Sequence, residues 1–254
     1  MSSDDLPVSE YDRATDFYLD FLRERLADPD SFFHQNVDIM LHMLGGIAGA
    51  HICDLACGEG FLSRLLAQHG GKVVGIDLSA NLLKHAQLRS RGRDITYRCD
   101  DAQALRTLGD ESFDAVVCHM ALMDIPDLQA TVRAVRRVLK PGGRFVFCVL
   151  HPCFETPFDA VHPPHELDAA DNLLAIRLTR YREEGKWFSQ GSGMRGRLGS
   201  IHRTLSTYFN TLIEAGFTIA EIAEPTFAGQ PADTLDKQLR SIAPRVLIVS
   251  ANRT

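Results

Sequence analysis

The sequence has no long hydrophobic run, and no apolar stretch approaches the roughly 20 residues that cross a bilayer. The first five residues, MSSDD, also lack the charged and then apolar pattern of a secretory signal. We therefore expect no membrane partner and a location in the cytoplasm. The sequence also has no internal repeat and no low-complexity segment, which favours a single domain overall.

The sequence has no excess of positive charge: 27 Lys and Arg residues stand against 33 Asp and Glu residues, for a net charge of −6. It therefore lacks the basic surface that nucleic-acid binding requires, and no nucleic-acid partner is expected. Six cysteines are present without a C-x-x-C pair, so neither a zinc cluster nor a redox motif is indicated. We expect buried cysteines and no metal.

A glycine-rich turn organises the chain. Residues 51–55 form an apolar run typical of a buried strand, and a helical apolar pattern begins at Phe61. Between them, Gly58 and Gly60 allow a sharp turn against which a ligand can lie. A second apolar run, 72–77, ends in an acid about 17 residues after Gly60, where an acidic side chain can accept hydrogen bonds from ribose hydroxyls.

Strands and helices then alternate as far as residue 150. Three further strands are predicted at 95–99, 112–118 and 144–150, and residues 140–143 (KPGG) read as a turn before the last of them. This alternation predicts a parallel sheet with helices on both faces. Helical patterns at 8–27 and 31–44 precede the first strand.

Two cofactor classes use such a layout. A dinucleotide site needs G-x-G-x-x-G/A, but Ser63 occupies the third glycine position. Residues 54–60 (DLACGEG) instead resemble the D-x-G-x-G-x-G loop of class I S-adenosylmethionine-dependent methyltransferases. Ala56 replaces the first glycine, which we expect to be tolerated if its φ is negative.

Four more motifs follow in the order of that family: GIDLS, DA, SFDAVV and LKPGGR. The chain thus resembles class I small-molecule methyltransferases of types 11 and 12 across residues 50–150. The resemblance implies a Rossmann-like, seven-stranded, mostly parallel sheet with an antiparallel last hairpin and an N-terminal helical cap. It divides the chain into a cap (1–46), a cofactor-binding core (47–150), a substrate-specificity insertion (151–203) and the rest of the core (204–254).

The resemblance also implies a cofactor, S-adenosyl-L-methionine, and the residues that bind it. Asp54 and the loop backbone would hold the methionine portion, Asp77 the ribose, Asp101 the adenine amino group, and either Asp100 or Asp101 could face the pocket. The full set is Asp54, Ala56, Cys57, Gly58, Gly60, Asp77, Leu78, Asp101, Ala102 and His119.

Catalytic and substrate residues are less constrained by sequence. Methyl transfer needs alignment, and a general base only when the nucleophile arrives protonated. His151 directly follows the fifth strand, so we interpret it as a base or substrate anchor, with a structural role in the turn as the alternative. Candidate substrate-binding residues, in the cap and around the insertion, are Tyr11, Tyr18, Trp187, His202, Arg203 and Tyr208.

The predicted function is methyl transfer to an O, N or C nucleophile of a small-molecule substrate. The alternatives are an enzyme of the same fold that uses the cofactor for cyclisation or decarboxylation, an NAD-dependent oxidoreductase, and a non-catalytic binding module. A homodimer is compatible with the sequence. Substrate identity and acceptor atom are not determined by it.

Overall fold

We analysed a computed structural model that describes residues 6, 8–28, 31–154, 165–226 and 234–254. Its strands are β1 His51–Leu55, β2 Lys72–Asp77, β3 Ile95–Cys99, β4 Phe113–His119, β5 Leu139–Leu150, β6 His165–Leu167, β7 Leu173–Ile176, β8 Gly185–Trp187, β9 Ser200–His202, β10 Phe217–Ala223 and β11 Val246–Arg253. Its helices are α1 Glu10–Arg13, α2 Thr15–Ala27, α3 Phe32–Leu44, α4 Phe61–Gln68, α5 Ala80–Arg89, α6 Leu128–Val138, α7 Met194–Arg197, α8 Leu205–Glu214 and α9 Leu235–Ile242.

Seven strands form the main sheet, in the spatial order β10-β11-β5-β4-β1-β2-β3. Strands β1 to β5 are parallel, while β11 lies antiparallel to both β5 and β10. The predicted Rossmann-like sheet with an antiparallel last hairpin is therefore confirmed. Two small antiparallel pairs, β6–β7 and β8–β9, lie in the insertion and were not predicted.

The centre of the sheet is buried on both faces because helices cover each side. Neighbouring residues of β5 point to opposite faces. Phe145 and Phe147 belong to one hydrophobic cluster and Val146 and Cys148 to the other. All four are at most 1% exposed. Cys53 and Cys118 are buried as well, whereas the other three cysteines are only partly buried, and all six are unpaired thiols.

Three predicted elements differ in detail. The helix predicted over 8–27 divides at Ala14 (φ −116°, ψ 18°) into α1 and α2. The turn predicted at 140–143 lies within β5 instead. It forms a bulge between Leu139 and Arg144, which pair with Phe113 and Ala115 of β4. Part of the predicted insertion, residues 155–164, lies outside the described residues. None of the described helices is long and apolar enough to cross a membrane.

The N-terminal helices are fastened to the sheet at both ends. Asp12 of α1 accepts hydrogen bonds from the Ser79 hydroxyl (2.6 Å) and the Asn81 amide (3.1 Å) at the start of α5. At the end of α3, Arg144 donates to the carbonyl of Leu44 (2.8 Å). These contacts place α1 beside the carboxyl end of β2, while α3 packs on one face of the sheet against β5 and β11.

Two glycines with the same backbone conformation allow a matched test of the turn. Gly60 (φ +80°) precedes α4, and a Cβ there would overlap the Tyr97 hydroxyl and lie 3.2 Å from the Ala86 Cβ. Gly92 (φ +79°) has nothing within 4 Å of that position. We expect Gly92→Ala to lower the unfolding free energy by about 1 kcal/mol, because of backbone strain alone. Gly60→Ala should cost about 1–3 kcal/mol more, because it also overpacks the turn.

Urea unfolding of both variants measures this difference. Equal losses for the two variants would show that Tyr97 moves aside without cost and that the close packing of the turn is unimportant.

Candidate active site

The turn between β1 and α4 is bent by three residues in the left-handed region, Ala56 (φ 54°), Gly58 (φ 55°) and Gly60 (φ 80°). The negative φ on which the tolerance of Ala56 was conditional is therefore not present. An alanine in this conformation carries about 1–2 kcal/mol of strain, which a glycine would avoid. The turn is held by the Cys57 amide, which donates to the Ile76 carbonyl of β2 (2.9 Å).

A cavity of about 520 Å³ lies beside this turn, within the range of small-molecule sites. It is lined by strand ends, as expected for a ligand site in an open α/β sheet. All of the predicted cofactor residues line it except Gly60, whose Cα packs against Tyr97 instead. The lining members of the set are Asp54, Ala56, Cys57, Gly58, Asp77, Leu78, Asp101, Ala102 and His119.

Two acids at the ends of β1 and β2 are buried beside the turn. Asp54 accepts a hydrogen bond from the Ser63 hydroxyl (2.5 Å), and burial raises the pKa of its carboxyl to about 7. Asp77 accepts from the amides of Gly58 and Ser79, each at 2.8 Å. Burial also raises the pKa of Asp77. Both carboxyls line the cavity while bonded to the segments that shape it.

The two acids that follow β3, Asp100 and Asp101, have different hydrogen-bond partners. The two carboxylate oxygens of Asp100 accept from the amides of Asp101 (2.8 Å) and Thr107 (2.6 Å), so this side chain organises the local backbone. Asp101 instead accepts from the backbone amide (2.8 Å) and the side-chain amide (3.0 Å) of Gln103. Both acids line the cavity, and Asp101 is the one with a side-chain partner that a ligand can displace.

His119, at the end of β4, lines the cavity with its ring edge-to-face against Phe33 (5.4 Å between centroids). Among the described residues, its Nε2 is shielded from solvent and has no hydrogen-bond partner. Burial lowers the pKa of this imidazole to about 4, so the ring is neutral at physiological pH. The solvent-shielded Nε2 does not open onto the cavity, so other atoms of His119 form this part of its wall.

Glu59 is a cavity residue that sequence reasoning missed. It is 1% exposed and forms ion pairs with Arg64 (2.9 Å) and Arg89 (2.6 Å). The two guanidinium groups compensate the charge and fix the outer part of the turn. The sequence places Glu59 between the two glycines of the motif. Because the motif accepts any residue at that position, it does not indicate that the side chain is buried.

The roof of the cavity is built around Asp124, which was also missed. Its carboxylate accepts from the Tyr11 hydroxyl (2.8 Å) and from Arg195 (2.5 Å), so one acid joins α1 to the insertion. Tyr18 lies below, with its hydroxyl 2.9 Å from where a Cβ of Gly58 would be. Tyr11 and Tyr18 both line the cavity, at the position expected for them.

Two further contacts join the same segments. Lys186 forms an ion pair with Glu10 of α1 (2.8 Å), and the Arg197 guanidinium stacks over the Phe17 ring of α2 at 4.1 Å. The insertion therefore binds the acidic and aromatic cap, and together they cover the cavity and restrict its access to solvent.

The other four predicted substrate residues do not line the cavity, and those expectations are corrected. Trp187 is 4% exposed within β8. The Nε2 of His202 lies 2.8 Å from the Tyr181 carbonyl oxygen. Tyr208 stacks on Phe147 in the core. Each side chain is occupied by packing or hydrogen bonding away from the cavity.

Arg203 does not line the cavity because its guanidinium group is bound to backbone carbonyls. It is buried and donates to the carbonyls of Leu122 (2.8 Å), Ile125 (2.6 Å) and Pro126 (2.9 Å). These carbonyls belong to the short turn that carries Asp124. Arg203 therefore supports the roof from outside and does not itself face a ligand.

His151 is likewise absent from the residues that line the cavity. Its Nε2 lies 2.6 Å from a carboxylate oxygen of Glu224, and its Nδ1 accepts from the Cys153 amide (3.2 Å). With Nδ1 as acceptor, Nε2 is the nitrogen that carries the proton and donates to Glu224. The geometry corresponds to the turn-stabilising alternative, and a catalytic role remains a prediction.

Comparisons with known proteins agree with this geometry. The sequence model of a family described as "Methyltransferase domain" matches residues 53–147. The crystal structure of an S-adenosylmethionine-dependent methyltransferase from Mesorhizobium loti is 29% identical, with a TM-score of 0.72, and the match covers 85% of this chain and 96% of that one. Over residues 53–147 this chain is similar to the methyltransferase domain, and its structure is similar to that of an S-adenosylmethionine-dependent methyltransferase.

Relatives with curated names resemble the domain more than the whole chain. A ubiquinone biosynthesis O-methyltransferase from Idiomarina loihiensis is 38% identical over 142 residues, which cover 51% of this chain and 57% of that protein. An uncharacterized protein from Haemophilus influenzae is 28% identical over 259 residues, covering 97% of each chain. This chain spans about half the length of the O-methyltransferases that it matches.

The residues of the methyltransferase domain fit S-adenosylmethionine, the cofactor of this class. The left-handed turn presents a backbone without a side chain at Gly58, acids lie at the ends of three adjacent strands, and His119 ends the neighbouring strand β4. Asp54 and His119 would hold the methionine end, Asp77 the ribose, and Asp101 the adenine amino group.

The raised pKa of Asp54 predicts a pH-dependent affinity for the cofactor product, S-adenosylhomocysteine. The ligand's ammonium group favours the ionised carboxylate, so binding below pH 7 must release a proton from Asp54. We expect affinity to rise about fivefold from pH 6 to pH 7 and by no more than about a further twofold above that. Asp54→Asn should weaken binding and flatten the profile in isothermal titration calorimetry.

Asp94→Asn, at an exposed position before β3, is the matched control and should retain the wild-type profile. A pH-independent affinity in the wild-type protein would contradict the assignment of the ammonium group to Asp54.

Proposed function

We propose that this chain is an enzyme that transfers the methyl group of S-adenosylmethionine to an O, N or C nucleophile of a small molecule. The observation that carries the proposal is the convergence of Asp54, Asp77 and Asp101 on one cavity, at the ends of three adjacent strands and beside a left-handed turn. A dinucleotide motif does not account for all of these features. Its third glycine position is occupied by Ser63, which donates a hydrogen bond to Asp54.

The bound cofactor supplies an electrophilic methyl group on a sulfonium. The chain supplies alignment and a dry environment, which suffice for an in-line displacement when the nucleophile is already deprotonated. Asp77 and Asp101 fix the two ends of the nucleoside, and Asp54 fixes the amino group. The roof formed by Tyr11, Asp124 and Arg195 excludes water from the acceptor.

The matched O-methyltransferases support an oxygen acceptor as the first to test. Because that similarity covers about half of each chain, nitrogen and carbon acceptors remain within the proposal. We further propose action in the cytoplasm on a small-molecule substrate without nucleic acid, and a homodimer as the assembly to examine by light scattering.

Cofactor binding is the first experiment. We expect S-adenosylhomocysteine, and not NADH, to raise the melting temperature of the purified chain. Asp77→Ala should weaken S-adenosylhomocysteine binding about 10- to 100-fold, since it removes charge-assisted hydrogen bonds to the ribose. Asp94→Ala provides the exposed control and should bind normally. Stabilisation by NADH alone would overturn the proposal.

Transfer of radiolabelled methyl from S-adenosylmethionine into a metabolite extract then separates the remaining alternatives. Incorporation supports methyl transfer. Binding without incorporation, but with product formation from the same extract, would favour cyclisation or decarboxylation. Binding with no chemistry would favour a non-catalytic module.

The substitution His151→Gln tests whether His151 acts as the catalytic base. The position of His151 outside the cavity lining leads us to expect turnover within about twofold of wild type, with a lower melting temperature because the contact with Glu224 is lost. Glu224→Gln should lower stability in the same way. A large fall in kcat at unchanged stability and unchanged cofactor affinity would instead establish His151 as the base.

A further inference from the structure

The roof of the cavity contains a carboxylate that the cofactor assignment does not use. Asp124 ends the short turn Leu122–Asp124 that follows β4, and its side chain is 16% exposed and lines the cavity. One of its carboxylate oxygens accepts from the Tyr11 hydroxyl and the other from Arg195. Because an ionised carboxylate has about four lone-pair sites, each oxygen can accept one more hydrogen bond, from a ligand.

A chain of contacts across the cavity joins this roof carboxylate to the glycine turn. The Tyr18 hydroxyl lies against Gly58, and the Tyr18 ring meets the Tyr11 ring edge-to-face at 5.4 Å between centroids. Burial raises the pKa of Tyr18, and the charges of Asp77 and Asp124 add to this rise, so both acids lie near that phenol. An acceptor held between the cofactor and the roof is therefore within reach of Asp124.

Five other carboxylates among the described residues line the cavity, and each of them is already used. Glu59 is ion-paired with two arginines, and Asp100 is bound by two backbone amides. The other three are assigned to the cofactor, as are the ring of His119 and three of these acids: Asp54, Asp77 and Asp101. Asp124 is thus the carboxylate left on the side of the acceptor.

The position of this carboxylate is fixed from behind as well as from the cavity. Arg203 donates to the carbonyls of Leu122 (2.8 Å) and Ile125 (2.6 Å), on either side of Asp124. Tyr11 and Arg195 bind one side of the carboxylate and so orient the lone pairs that remain. A group that is held in this way is suited to proton transfer, which requires a base at a fixed distance from the proton that it removes.

We propose that Asp124 is the general base for a hydroxyl acceptor. The acceptor O–H donates to the Asp124 carboxylate. Its oxygen bonds to the methyl carbon as the carbon–sulfur bond breaks, and the electron pair of that bond stays on sulfur. The hydroxyl proton passes to Asp124, which later releases it to water. The inference rests on the proposed function and narrows its acceptor to oxygen, because a neutral amine can attack without a base.

The groups around Asp124 do not themselves titrate near neutral pH. Its charge acts on three phenols and one thiol whose pKa is raised by burial, so that they keep their protons: Tyr11, Tyr18, Cys118 and Tyr208. The guanidinium group of Arg195 is charged throughout the working range. A pH dependence that follows Asp124 is therefore not caused by these neighbours.

Asp124→Asn is the decisive variant. The amide keeps an oxygen for Arg195 and an NH₂ group that the Tyr11 hydroxyl can accept from, but it cannot take a proton. Methyl transfer from saturating labelled S-adenosylmethionine into the metabolite extract should fall about 100-fold or more at pH 7. The rate should then rise about tenfold per pH unit, because the hydroxyl must ionise before it reacts. Asp124→Glu, which keeps a carboxylate, should keep the wild-type pH profile.

Binding provides a readout that does not depend on turnover. Calorimetry should show unchanged affinity of Asp124→Asn for S-adenosylhomocysteine. Equilibrium dialysis against the S-adenosylhomocysteine complex should retain the labelled acceptor within about threefold of wild type, since a hydrogen-bond acceptor is still present. Lys186→Gln is the control, because it removes the ion pair with Glu10 (2.8 Å) that joins the same segments and leaves Asp124 intact. Any loss of rate in this control should be equal at every pH.

A smaller loss in Asp124→Asn, a loss that is equal at every pH, or a label found only on nitrogen or carbon would overturn the inference. Absence of transfer by the wild-type protein would overturn the proposed function itself, and the inference with it. Transfer that is insensitive to Asp124→Asn would overturn the inference alone.

Discussion

The hydrogen bond from the Gly58 amide to the Asp77 carboxylate is the contact on which the site depends. It joins the left-handed turn after β1 to the end of β2, and it fixes in one geometry a backbone segment and an acid that both line the cavity. Because Asp77 also accepts from the Ser79 amide, the start of α5 is set by the same carboxylate. A movement of either strand would disturb all three.

Buried charge around this contact is compensated in two ways. The charge of Glu59 is balanced by ion pairs with Arg64 and Arg89, so the free-energy cost of burying this carboxylate is offset within the protein. Asp54 accepts hydrogen bonds from Ser63, and burial raises the pKa of its carboxyl to about 7. The first arrangement gives rigidity. The second leaves a carboxyl group whose ionisation is favoured when a cationic ligand arrives, which is how a binding site differs from a structural ion pair.

The roof depends on contacts between parts of the chain that are far apart in sequence. Asp124 receives hydrogen bonds from Tyr11, 113 residues away, and from Arg195, 71 residues away. Arg203 holds the same turn through Leu122 from 81 residues away. The cap and the insertion are thus coupled through one short segment after β4, so the cavity that receives the acceptor is formed only when both are in place.

Local sequence patterns were sufficient to predict the sheet, the glycine turn and the positions of the acids. Apolar runs specify parallel strands, and an acid that ends such a run must lie at the shared carboxyl edge, so Asp54, Asp77 and Asp101 could be placed without coordinates. The directions of side chains in the insertion could not be placed in this way. Trp187, His202, Arg203 and Tyr208 face packing partners, while Asp124, Arg240 and Arg245 face the cavity. Only tertiary packing decides between these outcomes, because the groups that satisfy or bury each side chain come from distant segments.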